Sequence, residues 1–524
     1  MPGKLDTKNM RWPEFAISAG FLFLFVFISM VNYKWVGSAI KAMNEIIMTY
    51  FGTLFQAVFL LIFVTCLVIG FSKYGDIRIG GTNAKPELKT FTWFAIILTT
   101  LLAGGGVFFS AAEPMYHFLS TPPMYPGVES STEAAVAPAF ALSYLHWGFL
   151  AWAVQAIGVA ILVYACEYKG MPLRARSLLY PFLGEKGVMG VPGTLMESFS
   201  LIAVAAGTIG PIGFLALQLS YSLNLLVGIP DNYTTQFLVL VVITAIYTIG
   251  ASTGIYKGIS ALSNWTIYLT VFMIGAVLIL GPGSFILDSF LNSMGLYLSD
   301  FPRISLSRVN TEWAGSWTAF YWAWFLSYAP TMAILLVNIS KGRTFRQLMF
   351  AVCVFGPIVT NFWFTILGGA GIFFELQTPG VVSGPLYESG LPAALITIMK
   401  NMPFSGFLVP ISLVLVVLFL VTTGAGVTYT MATAVTGMAV PYKWVRVLWG
   451  VLLGATAAVL IKIGDSGIGS LQNFIIIATV PLFVLYIPQM WGAIMMAVKL
   501  FTLQFGEDHE KAVAIDIHAH EGED

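Results

Sequence analysis

Long, nearly unbroken apolar runs separated by short polar stretches set the pattern of this chain, and neither strict alternation nor a one-sided helical stripe dominates. Twelve runs stand out, at approximately 14–32, 51–71, 91–118, 134–166, 193–221, 236–250, 261–283, 316–338, 350–375, 406–436, 446–463 and 471–498. They suit helices of about 20 residues, the length that crosses a hydrocarbon core of about 30 Å. The pattern therefore predicts an all-α polytopic protein with twelve transmembrane helices in a lipid bilayer. Residues 35–49 and 285–300 are shorter and mixed, as interfacial helices are. The first run is too long for a signal peptide and lacks a small-residue cleavage site, so it is expected to stay as a helix.

Loop charge supplies an orientation. Lys4, Lys8 and Arg11 precede the first run, Lys73, Arg78, Lys85 and Lys89 follow the second, and Lys169, Arg174, Arg176 and Lys186 follow the fourth. Lys257, Lys341, Arg343, Arg346, Lys443 and Arg446 continue that side, whereas 119–133 and 222–235 hold no Lys or Arg. The positive-inside rule puts both termini in the cytoplasm, with Arg303 and Arg308 against the trend. Composition agrees, since 58% hydrophobic residues, 10% charged residues and a mean hydropathy of +0.84 exclude a water-soluble surface. The formal net charge of zero says nothing about partners, and no nucleic-acid partner is expected. Cys66, Cys166 and Cys353 sit in or at the ends of apolar runs, too far apart for a metal motif, and read as packing residues. Residues 499–524 read as a short, acidic, solvated cytoplasmic tail.

Candidate chemistry lies where the runs are least regular. Trp147 and Trp152 in one run, and Tyr321-Trp322-Ala323-Trp324-Phe325 with Tyr328 in another, place rings well inside the apolar stretches. Membrane tryptophans usually sit in belts at the water interfaces. Folded together, these rings would line a pocket for a dehydrated cation, each ring face contributing roughly 0.5–2 kcal/mol. Gly104-Gly105-Gly106 interrupts the third run, each glycine costing roughly 1 kcal/mol relative to Ala in a helix. The triplet serves either close helix packing or an unwound stretch whose backbone meets a substrate. Thr422-Thr423 stands beside Gly424 and Gly426. Those hydroxyls either bond back to a carbonyl one turn earlier or, with opened backbone carbonyls, supply oxygen ligands to a monovalent cation.

Glu113, His117 and His146 are the ionisable groups nearest the apolar interiors, where such groups are functional candidates. Glu113-Pro114 reads as a cap or gate as readily as a proton relay, and His146 as a hydrogen-bonded packing residue rather than a proton carrier. No metal cluster, nucleophile elbow or nucleotide loop marks an enzyme; the glycine triplet is not followed by the lysine of a phosphate loop. A channel would need a continuous polar lining, which these local breaks do not supply.

Trp317-Thr318-Ala319-Phe320-Tyr321-Trp322-Ala323-Trp324-Phe325, then Ser327-Tyr328-Ala329-Pro330 and Ile339-Ser340-Lys341-Gly342-Arg343-Thr344-Phe345-Arg346, resembles the signature of the betaine/carnitine/choline transporters. His146-Trp147 with Trp152, Glu113-Pro114 and Lys257-Gly258-Ile259 fit the same family, so the resemblance covers nearly the whole chain. It implies a LeuT-like fold: two leading helices within 1–90, inverted five-helix repeats at 91–283 and 316–498, and an outer interfacial segment at 284–315. A homotrimer in the plasma (inner) membrane is also implied. Trp147, Trp152, Gln155, Trp324, Phe325 and Tyr328, with Gly104, Gly105 and Gly106, would contact the substrate. Residues 324 and 328 share a helix face, whereas 147 and 152 lie about 140° apart and are expected to play separate roles.

Two positions depart from the glycine-betaine pattern: Phe325 stands where Trp is common, and Gln155 where betaine carriers have Tyr. Gln155 could accept a hydrogen bond from a substrate that keeps an N–H or O–H. For a coupling sodium, the resemblance implies the hydroxyls of Thr422 and Thr423 with backbone carbonyls of Phe419, Thr99 and Leu102. Thr266 stands where sodium-independent carnitine exchangers carry arginine, which favours sodium symport over exchange or proton coupling. The expected function is uptake of a betaine-like zwitterion or choline-like cation, trimethylammonium or sulfonium, by alternating access, with no enzymatic cofactor. The lack of a basic C-terminal extension argues against osmotic activation.

Overall fold

The computed structural model describes residues 7–101, 103–253, 256–464 and 467–506, so the tail reading and the backbone of Leu102 lie outside the described residues. The described chain is helical, with one isolated antiparallel bridge between Arg78 and Thr344. Two leading helices, α1 (Trp12–Val31) and α2 (Tyr33–Phe71), are followed by α3 (Thr90–Leu101) and α4 (Ala103–Leu119). The fourth apolar run folds as α5 (Val136–Trp147), α6 (Phe149–Ala156) and α7 (Val159–Glu167). Next come α8 (Tyr180–Met189), α9 (Val191–Val227), α10 (Tyr233–Thr253), α11 (Tyr256–Leu280), α12 (Gly283–Ser305) and α13 (Thr311–Ala314). The second half holds α14 (Phe320–Ile339), α15 (Phe345–Phe350), α16 (Gly356–Gln377), α17 (Ser383–Ser389), α18 (Ala394–Lys400), α19 (Ser405–Thr436), α20 (Lys443–Ile463), α21 (Ile468–Tyr486) and α22 (Gln489–Phe505).

Among the described residues, 10 helical stretches are long and apolar enough to span a bilayer, or 11 if the bent pair α11–α12 counts as one span. The difference from twelve, once the bent pair is counted, lies in the third run alone, inside which Leu102 is outside the described residues. The described residues on either side of Leu102 are helical, as α3 and α4, of 12 and 17 residues, and in the last run α21 is long enough to span by itself, with α22 following it. Segment 35–49, expected as a separate interfacial helix, is instead the first part of the 39-residue α2. The Asn32 side chain caps the Trp35 N–H at 3.0 Å, and nothing downstream releases the backbone. Segment 285–300 does form its own helix, bent by 103° from α11 at Gly281-Pro282.

Polarity is arranged for lipid. The middle of α9 is buried almost without interruption from Met196 to Ser222, while α10 presents Leu238, Val241, Val242, Ile246 and Ile249 outward. Buried charges are paired: Arg176 contacts Glu14 and bonds Glu197 at 2.6 Å, and Arg174 bonds Glu197 at 2.6 Å and the Ala434 carbonyl at 2.9 Å. That network joins α1, α9 and the end of α19. The Ser340–Arg346 turn is anchored as firmly. Gly342 adopts φ +77°, donates to the Ile79 carbonyl at 2.8 Å, and sits so close to Lys85 that a Cβ would lie 2.1 Å from its carbonyl carbon. Arg343 donates to the Leu88 carbonyl at 2.9 Å and lies over the Trp93 ring at 4.9 Å.

A ring-walled cavity and a buried carboxylate–histidine cluster

The helices converge on a cavity of about 580 Å³. Its walls include Gly105 and Gly106 of α4, Trp147 and Gln155 of the fourth run, Trp324, Phe325 and Tyr328 of α14, and Phe419, Thr422 and Thr423 of α19. Trp147 stands edge-on to both Trp324 and Phe325, each with ring centroids 5.5 Å away. Hydrogen bonds fix the ring orientations: Trp324 Nε1 donates to the Gly207 carbonyl at 2.7 Å, and Trp147 Nε1 to Glu113 Oε2 at 2.8 Å. The Tyr328 hydroxyl lies 3.1 Å from Thr208 Oγ1. Gln155 Nε2 donates to the Phe325 carbonyl at 2.7 Å, which leaves its buried Oε1 without a partner among the described residues.

Trp152 takes no part in these walls. A Cβ on Gly356 would lie 2.4 Å from its ring, so it packs against the start of α16, just after the π-helical turn Ala351–Phe355. The bend at Gly148, where helical dihedrals fail, separates the two tryptophans. Trp363 of α16 was not singled out from the sequence, yet it lines the cavity and donates to the Gly106 carbonyl at 3.1 Å. The adjacent rings Phe362-Trp363-Phe364 inside the ninth run carried the same signal as the clusters already noted.

Among the described residues neither helix opening is present. Gly104-Gly105-Gly106 lies within α4, and α19 runs unbroken for 32 residues past Gly424 and Gly426. In an apolar solvent an unpaired backbone group costs more than a glycine's weak helix propensity, so the hydrogen-bonded helix persists. The glycines serve approach instead: a Cβ on Gly105 would sit 1.8 Å from Trp324 Cη2. Thr422 Oγ1 donates to the Leu418 carbonyl at 2.7 Å, keeping lone pairs free, and the Thr423 hydroxyl makes no hydrogen bond among the described residues. Of the remaining expected sodium contacts, Thr99 is placed only as part of α3 and Leu102 lies outside the described residues.

The lining continues from the rings past Thr331 and Met332 of α14 and Thr430 of α19, towards the helix ends that lead into the loops of Lys341 and Lys443. No residue of Trp313–Tyr321 lines it. On that opposite side Phe109 packs against Tyr321 and Trp324 at 5.1 and 5.9 Å, closing the bundle with rings. Beyond them lies a fully buried polar cluster: Glu113 Oε1 is 2.5 Å from His146 Nδ1 and 3.4 Å from His117 Nε2, and His146 Nε2 is 3.0 Å from Thr318 Oγ1. No metal-ligating cluster is legible in the sequence because His146 lies 33 positions from Glu113, and only the packing of α4 on α5 brings it to Glu113 and His117.

An apolar helical bundle around an uncharged, ring-walled cavity that runs along one half of its thickness defines a membrane transport protein. The chain belongs to the betaine/carnitine/choline family of transporters, whose family model matches residues 13–501. It is thus a multi-pass carrier and not an enzyme. Over 493 residues, 94% of this chain and 91% of the relative, it is 42% identical to glycine betaine transporter 2 of Vibrio parahaemolyticus. Over 486 residues, 91% of this chain and 78% of the relative, it is 30% identical to an ectoine/glycine betaine/proline transporter of Corynebacterium glutamicum. A solved Na+-coupled sialic acid symporter shares 12% identity over 87% of this chain and 86% of its own, with a TM-score of 0.39, too slight a likeness to bear on fold or coupling ion.

Proposed function

We propose that this carrier imports a betaine-like zwitterion across the plasma membrane by sodium symport with alternating access. The observation that carries the reading is the wall of the cavity, where Trp147, Trp324, Phe325 and Trp363 stand beside polar groups that are all uncharged. Ring faces attract an ammonium or sulfonium head. A zwitterion brings its own balancing carboxylate, whereas a choline-like cation finds no acidic side chain among the described lining residues, and a buried unpaired charge is costly. The glycine betaine, ectoine and proline named for the relatives are all zwitterions. The unpartnered Gln155 Oε1 suits a substrate N–H, which favours ectoine- or proline-like amines alongside fully methylated ones.

Thr422 and Thr423 are proposed as sodium ligands, with Phe419, Thr99 and Leu102 contributing carbonyls. Both termini are placed in the cytoplasm, which makes the cavity one that runs inward. The inverted repeats at 91–283 and 316–498 and a homotrimer complete the proposal, the latter checked by native mass spectrometry. The direct test is a binding screen of glycine betaine, ectoine, proline, dimethylsulfoniopropionate, carnitine and choline, with and without sodium. Zwitterions are expected to bind, sodium to tighten them, and choline to lag. Choline binding above all the zwitterions would overturn the substrate class, and sodium-independent affinity would turn the coupling reading towards exchange or protons.

A further inference from the structure

We propose that Glu113, His117 and His146 form a site for a zinc-class divalent transition-metal ion, on the side of the rings away from the cavity. The three donor atoms all lie within 4.8 Å of one another, and all three side chains are fully buried. Glu113 and His117 are one turn apart on α4, a spacing that puts both on one helix face, and His146 comes from α5. Neither ring nitrogen of His117 has a hydrogen-bond partner among the described residues, although Trp313 and Trp317 hold the ring at 5.4 and 4.7 Å. An unsatisfied imidazole is expensive in so apolar a place, and an ion is the partner its position offers.

The groups behind the donors are set as those behind metal ligands are. His146 Nε2 meets Thr318 Oγ1 at 3.0 Å, and Trp147 Nε1 donates to the second Glu113 oxygen at 2.8 Å, which fixes the imidazole and the carboxylate. Charge points the same way. The described ion pairs of Glu113 are with histidines alone, so neutral imidazoles leave one negative charge buried. An ion entering at the 2.5 Å contact between Glu113 and His146 takes the Nδ1 lone pair of the neutral imidazole, whose N–H then lies at Nε2 towards Thr318 Oγ1, so no net proton leaves. Bonds of about 2.0–2.2 Å then require that pair to part by about 1 Å and His117 to move inward. Two imidazoles with one carboxylate select zinc, nickel or copper over sodium, magnesium or calcium. The Tyr321 hydroxyl, also unpartnered among the described residues on a ring 5.2 Å from His146, stands close by.

The test is metal binding by the purified full chain, isolated through a histidine-free tag, and it does not depend on which substrate is carried. The other histidines, His509, His518 and His520, are replaced by Gln in a background variant so that only the buried pair remains. Equilibrium dialysis against Zn2+ should count one ion per chain in this background, with affinity falling roughly tenfold or more in His117→Gln and as the pH is lowered. Mg2+ at the same concentration should not compete. Electron paramagnetic resonance of bound Cu2+ in the background variant should show two coordinating imidazole nitrogens, a readout that needs no change in the core. Zinc affinity unaltered by His117→Gln, zinc lost with the tail histidines, or a copper signal without nitrogen would each overturn the site.

Discussion

Trp324 is held at three points: its indole N–H bonds Gly207, Phe320 stacks on it at 5.5 Å, and Gly105 leaves it room on α4. Removing a desolvated ring of this kind should cost about 1–2 kcal/mol, near tenfold in affinity. Trp324→Leu is therefore expected to weaken substrate binding far more than Phe325→Leu in calorimetric titration. Gly105→Ala should act through the same ring, since its Cβ would overlap Trp324, and a loss of binding comparable to Trp324→Leu is expected without loss of folding. Gly20→Ala, with nothing within 4 Å of its added carbon, is the comparison that should bind normally. For Gln155→Tyr, which replaces the free Oε1 with a ring, the ratio of ectoine to glycine betaine uptake efficiency should fall; a constant ratio would remove Gln155 from substrate choice. Trp147 and Trp324 were legible from their place inside apolar runs, and helical spacing already set Trp152 apart from Trp147, but that Trp152 leaves the cavity altogether rested on its packing against Gly356, which no hydrophobic pattern marks.

Elements bend and join where backbone and charge demand it. The π-helical turn Gly315–Ala319 precedes α14 and aligns Thr318 with His146, a local change of helix register that apolar periodicity does not encode. The charge network of Arg174, Arg176, Glu14 and Glu197 is likewise a product of packing, because its members lie on α1, α9 and the segment before α8. Removing one partner from a buried pair costs about 3–5 kcal/mol, since the other charge stays behind. Arg176→Leu should accordingly lower the unfolding temperature in detergent sharply. A midpoint equal to wild type would mean that water already screens these carboxylates.

At the scale of the molecule, transport requires that two sites share one equilibrium. If sodium tightens substrate binding, substrate must tighten sodium binding by the same factor. Replacing Thr422 and Thr423 together by Ala removes the two proposed oxygen ligands and leaves the aromatic walls intact. Substrate binding is expected to survive while its sodium dependence disappears, as read from uptake titrated against sodium at fixed membrane potential. Wild-type uptake that ignores sodium would instead mean that the Thr422 hydroxyl serves only its own helix, through the Leu418 carbonyl. The single-sided cavity adds a second expectation. A polar cysteine reagent should reach Thr430→Cys from the cytoplasmic face before any residue of 313–321, because Thr430 lines the cavity and that segment does not.

The sequence by itself determined the solvent, the helical class, the family resemblance and most of the ring positions, because runs of apolar residues and misplaced aromatics are properties of composition along the chain. It could not determine continuity. Whether glycines open a helix depends on whether neighbouring helices and lipid leave the backbone any other partner, and here α4 and α19 stay closed. Nor could it determine which distant groups meet. Glu113, His117 and His146 become one cluster, and Trp363 becomes a wall beside Gly106, only when α4 packs against α5 and α16, since contact between separate helices is a property of their packing and not of spacing along the chain.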